Sequence, residues 1–168
     1  GSEMCIRDRY MHHKSDAELA ALYQPILRGH GIEVADEVAG RAAGIMKERA
    51  TFITDLWDLT SFFFVAPAEY EEKQTRKYWK GQNPEILREL RSVLEGIDDF
   101  SLENTERIVH AWIEEKGYGM GQVMNTLRLA LVGAGKGPGM YDVTSFIGKE
   151  ETLRRIDNLL TNLKPAIE

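Results

Sequence analysis

Apolar residues recur along this chain at the three-to-four-residue spacing that lines one face of a helix. Ser15 stands where a cap belongs, ahead of Leu19, Leu22, Tyr23, Ile26 and Leu27, and Gly29 and Gly31 stop that run. Val34, Val38, Ala42 and Ile45 share a second face. Ile53, Leu56, Trp57 and Leu59 lead into the apolar cluster Ser61–Val65, which Pro67 ends. Asn83-Pro84 reads as a cap followed by proline at the first helical position, opening the stripe Ile86, Leu87, Leu90, Val93, Leu94, Ile97. Ser101 heads Leu102, Thr105, Ile108, Val109, Trp112, Ile113, closed by Gly117. Met120, Val123, Met124, Leu127 and Leu131 follow, closed by Gly133, and Leu153, Ile156, Leu159, Leu160, Leu163 form the last stripe. Phe62 to Phe64, Met120 and Met124 are expected in the core.

No run alternates long enough to predict a strand. The pattern predicts an all-α fold of about eight or nine helices. The break in it near Lys80–Pro84 predicts two subdomains, 10–82 and 83–168. Gly1-Ser2 and the unpatterned segment from Glu3 to Arg9 are expected to be a tag or non-native leader, with Cys5 outside the domain.

Composition narrows the function. Of 168 residues, 21 are Lys or Arg and 27 Asp or Glu, a net charge of −6, with 43% hydrophobic residues. A chain of this length and balance buries a real core. Its acidity argues against a non-specific nucleic-acid coat, and no DNA partner is expected. No apolar run approaches the ~20 residues of a membrane span, so no membrane partner is expected and the chain is expected in the cytoplasm. One cysteine excludes an internal disulfide. His12, His13, His30 and His110 show no ligand spacing, so no metal site is expected. No nucleophile–base pair or carboxylate pair suggests catalysis.

The positive charges are grouped. Between Lys73 and Pro84 there is no acid, only Lys73, Arg76, Lys77 and Lys80 with Tyr78 and Trp79 among them. Between Lys116 and Tyr141 there is again no acid, and Lys116, Arg128 and Lys136 are the only charges. Two such windows could bring phosphates to chosen places, or could be solvated faces. Arg128 sits among the core positions Leu127 and Leu131. A charge there must reach solvent, pair with a carboxylate or bind a ligand. Arg49 falls in line with Val38, Ala42 and Ile45 if that helix continues, at a groove edge or against Glu48 or Asp55. The loop Gly133-Ala134-Gly135-Lys136-Gly137-Pro138-Gly139 lacks the order of a phosphate-binding loop and is expected to be flexible.

Several segments in order resemble a known family. They are Gly119-Met120-Gly121-Gln122 through Leu127-Arg128-Leu129-Ala130-Leu131-Val132-Gly133, then Gly137-Pro138-Gly139-Met140-Tyr141, then Ile147-Gly148-Lys149-Glu150 with Leu153-Arg154-Arg155-Ile156. Upstream, Lys47-Glu48-Arg49-Ala50-Thr51 and Phe62-Phe63-Phe64 with Tyr70, Lys73 and Lys77 extend the set. Together they resemble the C-terminal anticodon-binding region of bacterial glutamyl-tRNA synthetase, an aminoacyl-tRNA synthetase. Thr126 stands where that family has proline, Val132 where it has threonine, and Gly135, Lys136 and Gly137 make the loop more basic and flexible.

The resemblance implies a helical cage that grips the anticodon loop of glutamate tRNA in protein biosynthesis, acting as a monomer. It implies that Arg49 inspects an anticodon base and that Arg128, with Leu127, Thr126, Lys136, Gly137 and Met140, lines the anticodon site. Lys73, Lys77 and Lys80 would meet phosphates. The family's HIGH-type and KMSKS-type motifs do not occur here. The chain is therefore expected to carry no catalytic site and no cofactor, while the parent ligase would use ATP and magnesium. A helical protein–protein interaction module, with Arg128 merely paired in a core, is the alternative from the residues alone.

Overall fold

The structure, a computed structural model, describes residues 11–166. The expected leader 1–9 and Tyr10 lie outside them. Within them the chain is all-α: eight α-helices, short 3-10 turns at Met11–His13, Lys47–Arg49 and Ser61–Phe63, and no strand. A lone bridge joins Lys80 and Ala166. The chain forms two compact units that part between Val65 and Ala66.

The first unit holds α1 (Asp16–Gly29), α2 (Asp36–Met46) and α3 (Asp55–Thr60). The Ser15 hydroxyl accepts the Glu18 amide at 3.2 Å while the Ser15 amide donates to Glu18 Oε1 at 3.2 Å, a reciprocal cap that starts α1. α1 packs along α2, and the approach is close because Gly40 and Gly44 face Asp16, where a Cβ would collide. Leu19, Tyr23, Leu27, Ala39, Ala43 and Leu56 are buried between these helices, with Phe62 and Phe63 also buried. Tyr23 donates to the Leu56 carbonyl at 3.2 Å and meets Thr60 Oγ1 at 2.5 Å; its burial pushes the phenol up to about 12.

The second unit holds α4 (Glu72–Tyr78), α5 (Asn83–Glu95), α6 (Leu102–Lys116), α7 (Met120–Leu131) and α8 (Met140–Asn162). α8 packs against α5, α6 and α7, burying Leu87, Leu90, Leu94, Val109, Ile113, Val123, Leu127, Leu131, Ile156 and Leu159. α8 is broken at Gly148, whose φ of 85° and ψ of 168° only glycine adopts freely.

Three expectations change. The division falls at 65/66, so residues 66–82 belong to the second unit. Their fastenings explain it: the Glu71 amide donates to the Gly133 carbonyl at 2.7 Å, and α4 lies on α7. Trp79 is buried, its indole donates to the Leu163 carbonyl at 2.8 Å, and its own carbonyl takes the Ala166 amide at 3.0 Å. Asn83 is not a side-chain cap. It is buried, donating to the Tyr78 carbonyl at 2.6 Å and accepting from Gln122 Nε2 at 2.6 Å, which ties α4 and α7 to the start of α5. Met120, expected in the core, is 42% exposed at the head of α7.

Candidate nucleic-acid interface

The loop between α7 and α8 is held on three sides. From beneath, Arg128 Nη1 donates to the carbonyls of Lys136 at 3.0 Å and Pro138 at 2.7 Å. An arginine amid core positions thus finds its partners in backbone oxygens, a way of satisfying the charge that the sequence left open. At the loop's start, Gly133 has φ of 78°, and a Cβ there would stand 2.7 Å from Pro67 Cβ and 2.8 Å from the Glu69 carbonyl oxygen. Alongside, a Cβ on Gly135 would lie 2.6 Å from Gln74 Nε2. The two acid-free windows, far apart in sequence, therefore meet: α4 carries Lys73, Arg76 and Lys77 beside the loop that carries Lys136.

The expected site residues divide by exposure. Lys136, Lys73 and Lys77 are exposed; Lys77 Nζ lies 5.3 Å from the Tyr78 ring centroid. Lys80 is half-buried, its backbone paired with Ala166, and Gly137 is half-buried at φ of 107°. Thr126, Leu127 and Met140 are 1%, 1% and 2% exposed. Their side chains lie inside the unit rather than at its surface. The Thr126 hydroxyl donates back to the Gln122 carbonyl at 2.7 Å, inside its own helix.

Arg49 belongs to the first unit. α2 ends at Met46, so Arg49 lies on the exposed 3-10 turn that follows rather than in line with the apolar stripe. The Lys47 ammonium donates to the Lys14 carbonyl at 3.1 Å and anchors that turn to the chain ahead of α1. Asp55, a considered partner for Arg49, accepts the amides of Thr51 at 3.0 Å and Phe52 at 2.8 Å and so heads α3.

A family profile described as anticodon binding domain matches residues 18–160. The chain belongs to the anticodon binding domain family. Over 155 residues it is 53% identical to a glutamate–tRNA ligase of Phocaeicola vulgatus and 49% identical to one of Bacteroides fragilis, covering 92% of this chain and 31% of each relative. A solved glutamate–tRNA ligase from Elizabethkingia meningosepticum superposes with a TM-score of 0.88 at 38% identity, over 94% of this chain and 31% of that one. The chain thus spans about a third of the length of the relatives it matches.

The anticodon binding domain also has an arginine buried in its core, which the sequence analysis did not single out. Arg155 is 2% exposed; it donates to Glu151 Oε2 at 2.8 Å and to the Leu131 carbonyl at 2.8 Å, closing the end of α7 where the loop begins. The signal was present: Thr152, Arg155, Ile156 and Leu159 share one buried face, the same conflict of charge and pattern that marked Arg128. Glu151 also accepts two bonds from Arg154, and these hydrogen bonds hold its carboxyl below the usual glutamate range. Lys149 donates to the carbonyls of Glu95 at 3.0 Å and Ile97 at 2.8 Å, closing the end of α5. Gln74 gave no sequence signal at all. Among the described residues no cluster of metal-ligating side chains occurs, and no helix is long and apolar enough to cross a membrane.

Proposed function

We propose that this chain is the anticodon-reading part of a glutamate–tRNA ligase and that its partner is the anticodon loop of glutamate tRNA. The observation that carries the reading is the meeting of the two acid-free windows at the Arg128-braced loop. In a chain of net charge −6, a local surface with Lys73, Lys77 and Lys136 exposed suits an RNA backbone. Splayed anticodon bases offer their edges to arginine and backbone groups. Arg49, exposed on its turn, is assigned to base inspection; its fork of donors matches the acceptors of a base edge. Arg128 serves by fixing the loop, and Lys136 by meeting phosphate. Lys80, half-buried, has a minor share. Activation of glutamate with ATP and magnesium is assigned to the part of the ligase outside this third.

The test is a titration of the chain with glutamate-tRNA transcript and with the same transcript changed at the third anticodon base, each at two salt concentrations. Tighter binding to the native anticodon at both salts is expected. Equal, salt-sensitive binding would reduce the role to phosphate contact. Absence of binding at low salt would leave the helices as a protein-interaction module.

A further inference from the structure

We propose that Gln74 is a positioning residue that, together with Arg128, holds the loop from Gly133 to Pro138 as a rigid platform before any RNA arrives. This rests on the tRNA-binding reading above and adds to it how the loop is presented. The sequence, with Gly133, Gly135 and Gly137 within five residues, predicts a flexible loop. The structure supplies constraints at nearly every step of it. Gly133 is fixed at both of its polar groups: its amide donates to the Leu129 carbonyl at 3.0 Å, and its carbonyl accepts the Glu71 amide at 2.7 Å. The Gln74 side chain lies against the open face of Gly135, with Nε2 at 2.6 Å, Cδ at 2.7 Å and Oε1 at 3.1 Å from where a Cβ would be. No other residue type leaves Gln74 that seat. One and three residues on, Arg128 holds the carbonyls of Lys136 and Pro138, while the Lys136 side chain stays exposed. Pro138 is buried and closes the segment.

A loop held this way loses little conformational freedom on binding, so its contacts are not offset by ordering entropy. The glycines then serve close packing rather than motion: Gly135 exists to admit Gln74.

Backbone relaxation of the RNA-free chain tests this directly. Order parameters near ~0.85 are expected at residues 135–137, falling in Gln74→Ala; values below about 0.6 in the native chain would overturn the proposal. A binding cycle supplies the second arm. Gly135→Ala, which displaces only the end of a flexible side chain, is expected to weaken tRNA roughly fivefold and to shrink the effect of Lys136→Ala, as coupled neighbours do. If Lys136→Ala costs the same factor with Gly135 or Ala at that position, Gln74 does not position the loop, while the function proposed above survives. If the chain binds no tRNA, that function fails, and the order parameters alone decide the platform.

Discussion

Two arginines stand against the apolar pattern, and their surroundings separate their roles. Arg128 spends its guanidinium on two loop carbonyls, and Arg155 on Glu151 and the last carbonyl of α7. Arg49 differs in standing exposed, on the turn that follows α2. Arg49→Gln is therefore expected to change stability by no more than ~0.5 kcal/mol while narrowing the gap in affinity between native and third-base-altered tRNA. An unchanged gap in paired titrations would remove Arg49 from base inspection. At this scale the sequence was informative about where charge conflicts with burial, because spacing alone shows that. It was silent on the resolution, since a carbonyl partner ten residues away leaves no mark in the pattern.

Among elements, α8 shows how a helix can be cut and still anchor its neighbours. Gly148 breaks it, and beyond the break Lys149 and Arg155 close the ends of α5 and α7. Glu151 is the support of that arrangement. Glu151→Ala takes the carboxylate partner from a guanidinium that is 2% exposed, and a loss of about 3 kcal/mol in urea denaturation is expected. A loss under ~1 kcal/mol would mean that Arg155 is satisfied without the Glu151 carboxylate. The pH dependence follows from the depressed carboxyl. Glu151 stabilises the folded chain at pH values above the ordinary glutamate pKa, and that stabilisation fades as pH falls through the lower folded value. Acid titration of Glu151→Gln should lack this component. The helices themselves were legible: Ile86, Leu87, Leu90, Leu94 and Ile97 are buried as spaced, with Val93 half-buried beside them, and Ser15 and Ser101 cap where expected. Asn83-Pro84 was legible as a start but misleading as a cap, because a buried asparagine reached between helices instead.

For the molecule as a whole, net charge and local charge point in opposite directions. The chain is acidic, yet α4 and the α7–α8 loop set their lysines on one part of the second unit. Replacing Lys73, Lys77 and Lys136 together by alanine is expected to flatten the dependence of log affinity on log salt by roughly 2, at a single-strand slope of about 0.7 per contact. A slope unchanged across that triple substitution would place the phosphates elsewhere. The helical periodicity, the caps, the glycine stops and the clustering of charge are written in local order, because each depends on residues a few positions apart. The division at Val65/Ala66, the seating of Gln74 on Gly135 and the reach of Arg155 to Leu131 were decided only by packing. Each joins segments tens of residues apart, and which face meets which is a property of the folded core rather than of any window of sequence.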